Sequence, residues 1–169
     1  MTRDARPLVV GIGNDWRRDD GAGLAVARGL DKEAGSRALV LEQNGDLNAL
    51  LDALEGVDLA LIVDSTSSSA EPGSIRRLDP SVDDLTDALP RTSSHALGLA
   101  EALELARTLD RLPGRVVVYG IEGESFAVGS GLSPSVASAV AAVVAAIREE
   151  LDQLTHPDAS EAQQCTSKR

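Results

Sequence analysis

The stretch PLVVGIGNDWRRDDGAGLAVARGL, Pro7 to Leu30, decides the fold. Its first seven residues are a continuous apolar, β-branched run closed by two glycines, the pattern of a strand buried on both faces. Asn14–Arg18 is polar and predicts a loop. From about Asp19 the pattern turns helical, with Leu24, Val26, Ala27 and Leu30 at helical spacing behind an acidic first turn. A buried strand feeding directly into a helix is the opening of a βαβ unit, and the rest of the chain repeats the alternation. Ala38–Glu42 is a second short strand, Val57–Asp64 (VDLALIVD) a third, and Arg115–Ile121 (RVVVYGI) another. Ser74–Leu78, after the Pro72-Gly73 turn, reads as an edge strand.

Between these runs lie the helices. Leu47–Leu54 predicts a short one, with Asp46 as N-cap and Gly56 as its stop. Ala96–Leu109 is amphipathic, with Leu97, Leu99, Leu103, Leu105 and Leu109 as its apolar residues. Ser133-Pro134 opens a last helix that runs to about Leu154. Asp79–Thr92 reads as polar and irregular, and no internal repeat is visible. Helical crossovers between buried strands require a mostly parallel sheet covered on both faces. The expected fold is therefore α/β, a three-layer α/β/α sandwich around about five strands. It forms one domain over residues 1–154, with residues 155–169 expected as a disordered tail because they lack apolar periodicity.

Composition narrows the partners. The 169 residues carry 16 Lys and Arg against 27 Asp and Glu, a formal charge of −11. Phosphates repel such a surface, which argues against nucleic acid and anionic membranes. The aromatics are Trp16, Tyr119 and Phe126, so the core must be aliphatic. The one cysteine, Cys165, lies in the tail, which leaves no intramolecular disulfide and no thiol nucleophile within the fold. Leading into the first strand there is no signal-peptide h-region, and Val136–Ile147 is too short and Ala-rich to span a bilayer. The expectation is an acidic cytoplasmic protein, monomeric or a weak homo-oligomer.

Ligands of open α/β sheets gather beyond the carboxyl ends of the strands. The first strand delivers Gly11-Ile12-Gly13-Asn14 and then Asp19-Asp20-Gly21; the third delivers Asp64; a loop before a helix delivers Ser93, Ser94 and His95. Each admits two readings. Gly11-x-Gly13 is part of a dinucleotide fingerprint, with Glu42 as its acidic partner, but Trp16 stands where the third glycine belongs. Asp19 and Asp20 can cap a helix or bind a ligand, Asp64 can cap a turn or act chemically, and His95 can be structural or a ligand. Together, two carboxylates and an imidazole converging on one sheet edge form an O/O/N set able to hold a divalent transition metal with positions left open. No H-E-x-x-H, no G-x-S-x-G and no Cys–His pair occurs in the fold.

The same residues resemble a known family. Gly11-Ile12-Gly13-Asn14, four residues, then Asp19-Asp20-Gly21-x-Gly23 is similar to the opening motif of the [NiFe]-hydrogenase maturation proteases. So are Ile62-Val63-Asp64 with Glu71-Pro72-Gly73-Ser74-Ile75, Ser93-Ser94-His95-x-x-Gly98-Leu99, Gly120-Ile121-Glu122 and Gly131-Leu132-Ser133-Pro134. The resemblance runs over roughly residues 7 to 154. It implies an endopeptidase, often grouped with the aspartic type, that removes a C-terminal extension from a hydrogenase large-subunit precursor once nickel is installed. The nickel contacts it implies fall on Asp20, Asp64 and His95, with nickel carried by the precursor and Asp20 or Asp64 as general base. One departure is Glu42-Gln43-Asn44-Gly45, where the family often has Asp-Gly-Gly-Thr, which leaves the role of Glu42 open. Trp16 can be a hot spot for the precursor or can pack on the first helix. Two other readings fit the residues alone: a non-catalytic metal-recognition or scaffold protein, and a small-molecule hydrolase or nucleotide-binding α/β protein.

Overall fold

A computed structural model of the chain describes residues 6–34, 37–83 and 98–155. In order come β1 (Leu8–Ile12), a 3-10 turn (Arg18–Gly21), α1 (Ala22–Ala34), β2 (Leu39–Gln43), α2 (Leu47–Leu54), β3 (Leu59–Thr66) and β4 (Ile75–Leu78). They are followed by α3 (Leu99–Thr108), β5 (Arg115–Glu122) and α4 (Pro134–Thr155). The five strands form one sheet in the order β2-β1-β3-β5-β4. All neighbours are parallel except β4, which runs antiparallel to β5 at the edge. This is the mostly parallel, five-stranded α/β architecture expected from the apolar runs.

Period-two alternation sorts the strand residues between two cores. Leu8, Val10, Ile12, Ala60, Ile62, Val116 and Val118 face α2 and α3, whose Leu50, Leu51, Leu54, Leu99 and Leu103 cover them. Val9, Leu61, Val63, Val117, Tyr119 and Ile121 face α1 and α4, under Val26, Leu30, Val136, Val143 and Ile147. Asp46 caps α2 as its position predicts, its side chain accepting the N–H groups of Asn48 and Ala49 at 2.9 and 3.3 Å.

Three expectations need adjustment. Asp19 does not open an α-helix: the chain makes a 3-10 turn from Arg18, whose φ is +48°, and α1 starts only at Ala22. In α3, Leu105 is 37% exposed, Leu109 lies past the helix end and is half-exposed, and the buried face is Leu99, Ala100, Ala102, Leu103 and Ala106; small alanines pack where leucines were expected. Strand β3 continues past Asp64 to Thr66, so that carboxylate lies within the strand rather than at its end. Ser93, Ser94 and His95 lie outside the described residues, as do Ala96 and Leu97 of the expected helix and residues 156–169 of the expected tail.

Candidate active site

The chain leaves β1 toward β2 on one side and toward β3 on the other, so the carboxyl ends of β1 and β3 flank the point where strand order reverses. A crevice opens at such a point in doubly wound sheets. The glycines of the opening motif bring the 3-10 turn onto it. A Cβ on Gly23 would stand 2.3 Å from the Ile12 carbonyl oxygen and 2.5 Å from that of Val63. A Cβ on Gly13 would stand 1.9 Å from the Asp20 carbonyl oxygen. Backbone therefore rests on backbone, and the Asn14 N–H donates to the Asp20 carbonyl at 3.1 Å. Glycine at 11 and 13 serves this contact, and the acidic pair is delivered to the strand ends as a result.

Asp20 and Asp64 both end up buried there, and Ser65 touches each of them. Its N–H donates to Asp64 Oδ1 at 2.8 Å and its hydroxyl to Asp20 Oδ1 at 3.2 Å. Burial, opposed by the Ser65 N–H and reinforced by the charge on Asp20, pushes the Asp64 carboxyl up to about 7. Two adjacent carboxylates withdrawn from water repel one another, and a proton or a cation placed between them relieves that repulsion. Oxygen donors of this kind suit a divalent ion. Among the described residues no group of three or more metal-binding side chains occurs, and His95, the third expected ligand, lies outside them.

Asp19 has a different task from its neighbour. Fully buried, it accepts the N–H groups of Glu124, Ser125 and Ser133 at 2.9, 2.9 and 2.7 Å and the Ser133 hydroxyl at 2.7 Å. It ties the turn after β1 to the loop after β5 and to the start of α4. Burial alone would raise its carboxyl pKa, but the bonds from Ser133, Ser125 and Glu124 outweigh burial and hold it below 3.8. A depressed pKa stabilises the fold above the unfolded value, and the contribution is lost as pH falls through the folded value. Asp19→Ala is therefore expected to lower stability by about 3 kcal/mol at pH 7, four donors losing one charged acceptor. Urea denaturation at pH 7 and pH 3 checks this: the gap between variant and wild type narrows at the lower pH.

Glu122, at the end of β5, was not singled out by sequence reasoning for any role of its own. It is buried and accepts the Thr66 hydroxyl at 2.7 Å, the Ser68 N–H at 2.6 Å and the Ser68 hydroxyl at 2.9 Å. The serine-rich loop after Asp64 is thus ordered by a carboxylate from the neighbouring strand. The one signal in the sequence is that RVVVYGIE, like VDLALIVD, closes an apolar run with an acid. Glu42 lies at the rim rather than inside, sharing Arg28 with Asp15: Arg28 Nη2 is 2.6 Å from Glu42 Oε2 and 2.7 Å from Asp15 Oδ2. Trp16 does not pack on α1; it is 75% exposed.

Residues 34–150 match the hydrogenase maturation protease family model HycI. The chain is 29% identical over 153 residues to the hydrogenase 2 maturation protease of Escherichia coli strain K12, covering 85% of this chain and 92% of that one. Its fold superposes on the hydrogenase maturating endopeptidase HybD of E. coli with a TM-score of 0.69 and 27% identity, covering 86% of this chain and 93% of the other. The [NiFe] hydrogenase maturation protease HybD of Thermococcus kodakarensis gives a TM-score of 0.72 at 26% identity, with 86% and 99% covered. With the family model spanning more than half of the sequence and the buried acid pair at the sheet's switch point, the chain belongs to the hydrogenase maturation protease family and is a peptidase.

Proposed function

We propose that the protein removes the C-terminal extension of a nickel-loaded [NiFe]-hydrogenase large-subunit precursor, using the nickel that the precursor carries as its recognition mark. The observation that carries this reading is the buried Asp20–Ser65–Asp64 arrangement, an oxygen-donor pair that gains most from a cation brought by the substrate. Asp20 and Asp64, with His95, are the metal contacts in this reading. A precursor without nickel offers these groups nothing to bind, so cleavage is confined to metal-loaded substrate. Nickel held by these residues would supply a Lewis acid for the scissile carbonyl or a water. One of the two carboxylates, Asp20 or Asp64, is the general base; a carboxylate held on the metal is the poorer base, so recognition and catalysis divide between the two.

The roles separate in mutants. Asp20→Asn and His95→Ala are expected to weaken retention of nickel-loaded precursor, read by co-elution on gel filtration, and to cut processing by at least about 100-fold. Normal processing by either variant would remove that residue from the site. Among the described residues no helix is long and apolar enough to cross a membrane.

A further inference from the structure

The turn that delivers Asp20 also carries an apolar surface that the chemistry leaves unused. Trp16, the chain's only tryptophan, is 75% exposed, and Val128, on the loop after β5, is 87% exposed. The two loops are joined. A parallel bridge pairs Arg17 with Gly129, the Gly129 N–H donates to the Trp16 carbonyl at 2.9 Å, and the Arg18 N–H donates to the Gly129 carbonyl at 3.0 Å. In that register Trp16 and Val128 occupy matching positions on the two segments. Asp19 fixes the base of the platform through the bonds described above, so the pair is held at a set place beside the acidic crevice rather than on a free loop.

Charge identifies what such a platform fits. Arg28, Arg77 and Arg111 are each spent on carboxylates of this chain. Arg17 and Arg18, by contrast, form no ion pair among the described residues, and Arg17 Nε is buried without a hydrogen-bond partner there. Two cations without an ion pair among the described residues directly follow the exposed tryptophan, in a chain of net charge −11. A tryptophan-plus-arginine set beside a valine is the composition of a binding hot spot, where the ring supplies area and the guanidinium a fork for a carboxylate. Extended phosphate is disfavoured by the surrounding acidic surface, whereas one carboxylate on a peptide is matched by the local pair.

We infer that Trp16, Val128, Arg17 and Arg18 form the dock for the precursor segment that runs into the crevice, and that this segment presents an apolar side chain next to a carboxylate. The inference rests on the processing reaction proposed above and adds the recognition chemistry to it.

The sole tryptophan allows a direct test. Protein labelled with 5-fluorotryptophan gives a single ¹⁹F resonance, from Trp16, which is titrated with unlabelled large-subunit precursor while cleavage is followed by mass. The resonance is expected to shift on binding. Trp16→Ala is expected to raise KM about tenfold with kcat within about twofold, and Trp16→Phe to restore most of the loss. Charge reversal, Arg17→Glu with Arg18→Glu, should raise KM by a similar factor at low salt and by less at high salt. A precursor cut with unchanged KM by Trp16→Ala, with the resonance unmoved, overturns the dock and leaves the processing reaction standing. A shifted resonance without any cleavage supports the dock and overturns the reaction. A resonance that moves with protein concentration alone assigns the patch to a second copy of this chain and overturns the dock.

Discussion

Asp64→Asn is expected to yield a protein that is inactive yet more stable than the wild type at alkaline pH. The side chain is almost fully buried, and its carboxyl is raised from 3.8 to about 7 chiefly by that burial. The native state therefore holds a proton that the unfolded chain gives up between those two values. Stability contributed by the protonated form is complete below about 3.8 and is lost as pH rises through about 7. At about 1.36 kcal/mol per unit, the penalty at pH 8 is on the order of 4 kcal/mol. Asparagine cannot ionise, and its carbonyl still accepts the Ser65 N–H that Asp64 accepts at 2.8 Å. Urea denaturation of both proteins at pH 4 and pH 8 should show them alike at the lower pH and the variant ahead at the higher. Processing should fall by about 10²–10⁴-fold, the contribution of a positioned acid–base group. An inactive variant with no gain at pH 8 would mean that Asp64 is exposed to water or already neutralised by a partner.

The second large effect is structural. Gly23→Ala is expected to abolish accumulation of folded protein. A Cβ there meets the carbonyl oxygens of Ile12 and Val63 at 2.3 and 2.5 Å and the Ile12 N at 2.8 Å. These are backbone atoms of β1 and β3, so no rotamer change relieves the clash, and α1 must be lifted off the sheet. That movement would uncover Val26 and Leu30 and carry the turn bearing Asp20 away from Ser65. A cost of about 4 kcal/mol or more is expected, well above the usual range for one methyl group. Gly56→Ala is the control for a glycine with open space around it, though its φ of +75° still makes alanine mildly strained there. Circular dichroism and thermal melting of the two variants side by side measure the difference.

The two cores and the sheet were legible because backbone hydrogen bonding and burial leave a local trace. A strand covered on both faces has to be apolar along its covered length, as LALIV of β3 is, and Asp46 ahead of LNALLDAL needs only its own helix to act as a cap. That Asp20 and Asp64 come close to one another was legible for a related reason: both follow apolar strand runs that lie side by side in the sheet, although Asp64 lies within β3 and Asp20 on the turn beyond β1. What escaped was every role set by a residue far away in sequence. Asp19 and Asp20 are chemically identical neighbours, yet one turns toward Ser133, 114 positions on, and the other toward Ser65. The task of Glu122 depends on Thr66 and Ser68, which reach it only because β3 and β5 pair in register from Leu59 with Arg115 to Thr66 with Glu122. Leu105 misled the helix reading because leucine at helical spacing marks a core face only when a partner covers it fully, and Leu105 stays 37% exposed.

The most direct test of the central claim is the intact mass of a hydrogenase large-subunit precursor from the same source, incubated with this protein. Nickel-loaded and nickel-free precursor are run in parallel, with His95→Ala as control. The predicted result is loss of a C-terminal peptide from the nickel-loaded precursor alone, and none with the variant. A nickel-loaded precursor that binds and stays intact, or a nickel-free precursor cut equally well, would contradict the account.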